Sequence, residues 1–314
     1  MNASTIPKYL YPEISFQNYE VLVGYILTFI PNVYFFHRSI TYKPFSDRAI
    51  FKYMTMVMTF ELIFSAFIHV FYNGYMIINE RQNTMIELHL CSKLNIIDLN
   101  VNQLLIVTPL YFNIYRFHKI IFNKNPNIII IIIAIFITMA PLLYMMTGQY
   151  LEINIYYVPK KGCGYQIFSN IPYYITIMYI NIFVVLFIPF VSFFLNYLIY
   201  RTVIRRTSIS NRAKIREYNG LFKGIAIQSI FPFFCQVPGV AYQIFFTFTR
   251  QNYFPIEVAI NFVLCVGHGF CIFLSMVVIQ EFRNMIFRDF RIMKQIPIHP
   301  HSTMNIRIKS SHFV

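Results

Sequence analysis

The residues able to do chemistry concentrate between Cys91 and Lys119, in CSKLNIIDLNVNQLLIVTPLYFNIYRFHK. The first half of this stretch carries Asn95, Asp98, Asn100, Asn102 and Gln103, a carboxyl set among amides. Such a set can donate and accept hydrogen bonds and can pair with a cation, but it is not equipped to break a bond. No second Asp shares the span to form a dyad, and the chain holds neither Gly-x-Ser-x-Gly nor His-Glu-x-x-His. Glu61 and His69 in one apolar run and His268 in another add ionisable groups, which are candidates for function at membrane depth. Each His also reads as a satisfied packing residue, and no pair has zinc-ligand spacing. The chemistry on offer is recognition: no enzyme, no cofactor and no metal are expected.

Polar groups at bilayer depth are costly unless they face protein or water, so this stretch must be a central helix wrapped by others. Seven apolar runs supply the bundle: about 20–37, 51–77, the stretch itself at 91–119, 127–147, 172–200, 219–248 and 256–279. Each reaches the roughly 20 residues that a 30 Å hydrocarbon core requires. Composition agrees, since charged residues make up 12% of the chain against about 25% in soluble domains. With no Trp, the 24 Tyr must anchor the interfaces. A net charge of +14 would suggest nucleic acid for a soluble protein. Here the basic residues lie between apolar runs, which sets them against anionic lipid and leaves nucleic acid out.

Lys and Arg counts orient the bundle. Lys8, Arg81, Lys93, Lys160, Lys161 and Arg250 fall on one side, and the other twenty basic residues fall on the opposite side. The expectation is an all-α membrane protein, a seven-transmembrane helix bundle with its N-terminus outside. Residues 1–18 form an extracellular tail, without an apolar signal segment but with a glycosylation sequon at Asn2. The seven-transmembrane domain occupies 19–294. It closes with an amphipathic inner-surface helix at 281–294, where Phe282, Ile286, Phe287 and Phe290 recur at helical spacing among arginines. A disordered cytoplasmic tail follows at 295–314. Of five cysteines, Cys91 and Cys163 fall on the oxidising side, so a bridge between them is the economical pairing. The alternative is two free thiols.

Short motifs then carry a resemblance. Arg116 lies 25 residues after Cys91, a spacing similar to that of rhodopsin-like G-protein-coupled receptors between the outer cysteine and inner arginine of helix 3. Their acidic-Arg-aromatic triplet resembles Tyr115-Arg116-Phe117, without the acid. Their Cys-Trp-x-Pro of helix 6 resembles Cys235-Gln236-Val237-Pro238, with Gln for Trp, and Pro141 and Pro189 resemble prolines of helices 4 and 5. The seventh span has no Asn-Pro-x-x-Tyr. Instead GHGFCIFLSMVVIQEFR resembles the closing pattern of nematode serpentine chemoreceptors, with Phe282-Arg283 in place of Tyr-Arg, and Lys43-Pro44-Phe45 is also similar to them.

That resemblance implies a chemosensory receptor in the plasma membrane, including the cilia of sensory neurons. A small molecule binds in the outer half of the helix bundle, among Asp98, Asn95, Asn102, Gln236 and His268, helix 6 hinges at Pro238, and a heterotrimeric G protein engages Arg116, Tyr115, Arg205 and Arg206. Asp98 stands where amine receptors hold the acid that pairs with a ligand cation. Its amide neighbours equally allow a structural polar network. Pro238 equally reads as a static kink, and Arg116 as ordinary snorkelling to the inner surface. The alternative class is a seven-span ligand-gated channel or transporter; internal repeats that would favour a transporter are not evident. Nothing in the sequence specifies an oligomeric state.

Overall fold

The computed structural model describes residues 8–14, 16–46, 49–151, 155–158, 162–165, 172–206, 212–249, 251 and 253–290. Six helices in it are long and apolar enough to cross a membrane. They are α1 (Phe16–Thr41), α3 (Ala49–Arg81), α6 (Ile128–Leu151), α7 (Tyr174–Arg206), α8 (Arg212–Thr249) and α9 (Phe254–Val278). The single-turn helix α2 (Lys43–Ser46) links the first two. The architecture is an all-α membrane-type bundle. Its outside is apolar, with Ile30, Phe136 and Phe190 among many exposed large side chains, while Asn32, Ser65, Asn113 and Ser192 are fully buried. Lipid on the outside costs such side chains nothing, and polar groups turn inward to find partners. Helix α6 opens on a run of isoleucines and is exposed along most of its length. It is a peripheral, lipid-facing element.

The stretch expected as one central helix is two. Helix α4 (Leu88–Asn100) stops, Val101 and Asn102 intervene, and α5 (Gln103–Ile121) begins. Both intervening residues keep right-handed helical dihedrals, at φ −58°, ψ −31° and φ −69°, ψ −17°. The direction of the chain is therefore kept while the hydrogen-bond ladder is interrupted. Leu104 N–H reaches the Val101 carbonyl, an i−3 bond of 3.4 Å, which is the tighter 3₁₀ pattern that marks hinges inside helices. Pro109 a turn further on removes another ladder donor, from the Leu105 carbonyl.

The end of the bundle holding Cys91 also carries β structure that the sequence reading omitted. Strand β1 (Tyr9–Leu10) pairs antiparallel with β2 (Ile86–Glu87), and β3 (Ile155–Val158) pairs with β4 (Gly162–Tyr165). The β-branched and aromatic run Ile155-Tyr156-Tyr157-Val158 followed by a glycine is a hairpin signal. The disulfide Cys91–Cys163 ties this hairpin to α4, with the Cα atoms 5.8 Å apart, and Asn95 Nδ2 donates to the Cys163 carbonyl at 2.6 Å.

At the opposite end, α10 (Gln280–Asp289) follows α9 and is the described part of the expected amphipathic helix. Phe282 stacks on Phe45 with ring centroids 4.2 Å apart and on Phe51 at 5.4 Å. The Asp289 carboxylate accepts from Tyr34 Oη at 2.8 Å and pairs with Arg38 at 2.6 Å. Residues 291–294 of the expected helix, the 295–314 tail, the Asn2 sequon and Lys160, Lys161 and Arg250 lie outside the described residues.

Helices α1 and α9 approach closely through Gly24, where an added Cβ would sit 2.5 Å from Cys265 Sγ. Small residues at such contacts are what let membrane helices pack. Gly24→Ala should lower stability by about 1–3 kcal/mol by overpacking, read as a drop in the thermal midpoint of the purified protein. Cys265→Ala added to it should recover most of the loss, and no recovery would exclude this contact as the cause.

Candidate functional site

The interruption between α4 and α5 is where the buried polar side chains meet. Asn102 Oδ1 lies 2.5 Å from Ser65 Oγ and 2.9 Å from His268 Nε2, and Asn102 Nδ2 lies 3.2 Å from His69 Nε2. Its backbone carbonyl accepts from Gln236 Nε2 at 3.1 Å. One residue thus joins α3, α8 and α9 to the central segment. As the N-cap of α5, Asn102 has a carbonyl whose second lone pair can accept from a side chain. Around this centre, Tyr25 of α1 stacks on His69 at 4.1 Å and meets His268 edge-on at 5.1 Å. Asn32 Nδ2 donates to the His268 carbonyl at 2.9 Å.

The hydrogens in this cluster can be counted. His268 Nδ1 lies 2.8 Å from the Leu264 carbonyl while Nε2 faces Asn102 Oδ1, so both nitrogens meet oxygen acceptors. Ser65 Oγ also lies 3.3 Å from His268 Nε2, so a hydroxyl hydrogen is available to a neutral ring. On the other side, Asp98 Oδ1 lies 2.7 Å from His69 Nδ1, off the line of a straight hydrogen bond. A hydrogen on His69 Nδ1 leaves Nε2 to accept from Asn102 Nδ2. Turning the Asn102 amide over, an assignment made from the network itself, lets it donate to His268 Nε2 and accept from His69 Nε2 instead.

Of the residues expected to line a ligand pocket, Asn102, His268 and Gln236 are brought together here, and Asp98 joins them through His69. Asn95 is directed elsewhere, to the Cys163 carbonyl. Pro238 lies inside α8, which continues through it and through Pro232. The sequence reading flagged His69 without assigning it and missed Tyr25 and Ser65. Their signal was the one used for Asp98, a polar group inside an apolar run.

A second polar group lies toward the other end. Arg116 is buried, and its Nη1 donates to Asn113 Oδ1 at 3.2 Å and to Asn196 Oδ1 of α7 at 3.1 Å. Asn113 Nδ2 in turn donates to Ser192 Oγ at 2.9 Å, and Asn196 Nδ2 to the Phe222 carbonyl of α8 at 3.3 Å. Among the described residues the guanidinium has no carboxylate partner. Neutral amides hold it in place. Tyr115 is half-buried with the Lys119 ammonium 5.8 Å from its ring centroid. Arg206 donates to the Ile120 and Ile121 carbonyls, closing the end of α5, whereas Arg205 is exposed. Between the two polar groups, Thr108 Oγ1 donates to Glu61 Oε1 at 2.5 Å, and Gln103 and Asn181 exchange amide bonds at 3.0 and 3.2 Å.

A cavity of about 130 Å³ adjoins the core cluster, lined by α5, α7 and α8. Gln236 is the single polar residue in its wall. No group of three or more His, Cys, Asp or Glu among the described residues could hold a metal ion. No protein-family model and no curated protein matches the chain.

Asp98→Asn replaces the buried carboxyl that lies 2.7 Å from His69 Nδ1 and leaves that contact unmade. The expected result is a loss of about 1–3 kcal/mol, measured as a lower thermal midpoint of purified protein. The same substitution combined with His69→Gln should lose less than the sum of the two single changes, because the pair acts as a unit.

Proposed function

We propose that the chain is a seven-transmembrane chemosensory receptor of the plasma membrane, including sensory cilia. Its N-terminus is outside, it binds a small molecule within the bundle, and it activates a heterotrimeric G protein at its cytoplasmic face. The six apolar helices and the interrupted α4–α5 segment supply the seven spans. The charge asymmetry supports the orientation, and the β pairs and disulfide gather the sparsely basic loops at one end. The resemblance to nematode serpentine chemoreceptors gains support from the contact between Phe45 and Phe282, since two separately quoted motifs meet there.

The observation that carries the reading is Arg116. A guanidinium buried against amide oxygens alone has left water without gaining a countercharge, so its environment is only weakly preferred. Its five donors suit the backbone carbonyls of an inserted partner helix once α7 and α8 move aside. This arrangement takes the place of the missing acid beside Arg116: α5 is tied to α7, and α7 to α8, by bonds that are individually modest. A ligand has to shift this equilibrium only by its differential affinity for the two states.

Cells expressing the chain, loaded with reporters for cyclic nucleotides and calcium, should respond to an activating small molecule. Arg116→Ala should reach the surface and give no response, and a retained response refutes the coupling role. Asn196→Ala should raise ligand-independent signalling about tenfold, the equilibrium change for losing one hydrogen bond to a charged group. An N-terminal tag should stain on intact cells; staining only after permeabilisation would favour the channel class.

A further inference from the structure

We propose that the cavity between α5, α7 and α8 binds a neutral, lipid-soluble molecule of about benzene size with one hydrogen-bond donor. We further propose that the molecule arrives from the bilayer through the gap between α7 and α8, not from the water outside. The proposal rests on the receptor reading for its consequence, signalling, but its binding step can be tested apart from it.

Size comes first. An apolar protein cavity of roughly 150 Å³ accommodates benzene, and most drug-sized ligands require about 300–1,000 Å³. At about 130 Å³, this cavity admits a ring of six carbons or a short branched chain and little more. Charge comes second. Ile106, Val185, Phe233, Val237 and Val240 offer a cation nothing in return for its water. Asp98 is not part of the wall and is already engaged by His69. Polarity comes third. Gln236 Nε2 is committed to the Asn102 carbonyl, and among the described residues no partner is found for its Oε1. A hydroxyl hydrogen on the ligand would complete that amide, and the pull would pass through Gln236 to the residue at which the central segment is interrupted.

The route follows from depth and exposure. Ile106 is fifteen residues beyond Cys91, which at 1.5 Å per residue is about 22 Å along the segment, and Arg116 is about 15 Å further. The cavity therefore lies near the middle of the hydrocarbon layer. Its α7–α8 wall is not sealed: Leu186 and Ala241 are exposed, and Ile182, Val240 and Ile244 are half-buried on the outer surface of the bundle. At the Cys91 end, by contrast, Cys163, Ile86, Leu88 and Ile96 are buried together against Leu10 and Met146. A molecule that partitions into lipid meets the opening directly.

The test uses the full-length receptor purified into lipid nanodiscs, with empty nanodiscs as the partition control and ligand-observed NMR as the readout. Three probes share one ring: benzyl alcohol, toluene and benzylammonium. The wild type should bind benzyl alcohol, with benzylammonium at least tenfold weaker. Val240→Phe, and independently Val237→Phe, should fill the cavity and weaken benzyl alcohol at least tenfold without lowering the thermal midpoint. Gln236→Leu should abolish the preference for benzyl alcohol over toluene. Ala241→Trp should slow both association and dissociation at least fivefold while changing the Kd less than twofold. Equal binding of benzylammonium, or undiminished benzyl alcohol binding in both filled variants, overturns the site, and unchanged rates in Ala241→Trp overturn the route. A wild type that signals through Arg116 but binds none of the probes would sink this proposal and leave the receptor reading standing. Probe binding without any Arg116-dependent signalling would do the reverse.

Discussion

The polar core of the bundle gathers on Asn102. Its carboxamide fastens α3 and α9 to the central segment and its backbone carbonyl fastens α8, at the place where the helix ladder is interrupted. In water such bonds would be worth little net. Inside a membrane the alternative for each donor is no partner, so a shared acceptor becomes an organising position.

The Arg116 group works on different physics. There the charge is present and its counter-ion is not, and the surroundings offer amide oxygens alone. The first cluster joins four helices through many bonds, while the second hangs on a few amide contacts. The bundle thus has a densely bonded knot near its middle and a sparser clasp near one end. The cavity beside Gln236 lies between the two.

Much of this was legible in the chain. The apolar runs mark the six long apolar helices, with ends that differ by up to seven residues at the start of α8, because nothing but a helix satisfies its own backbone in lipid. Cys91 and Cys163 could be paired from sidedness. Asp98, Asn102 and His268 stood out as polar groups where polarity is expensive. Other features were not legible because they depend on tertiary partners. The interruption at Val101 and Asn102 leaves no glycine or proline at the break; it takes Gln236, 134 residues away, to make an interrupted ladder worthwhile. Asn113 and Asn196 look alike in a string of letters, and only the packing of α5 on α7 shows that they share one guanidinium. Asn95, chosen for its place beside Asp98, lies a turn nearer the Cys91 end, where the Cys163 carbonyl of the hairpin takes it. The short β pairs went unread since attention to membrane spans treats loops as remainder.

The disulfide has a consequence for how the protein is made. The α4–α5 segment is the one of the seven proposed spans absent from the six that length and apolar composition select among the described residues. Left to itself in a translocation channel, it has the weakest reason to stay in lipid. Its cysteine cannot find its partner until α6 has been inserted and the hairpin behind it delivered to the same side. Covalent closure then ties that end of the reluctant segment to the hairpin behind α6. On the proposed topology, the bond records that two insertions happened in matching sense, and it holds one end of the segment on which the other helices grip Asn102 and Arg116.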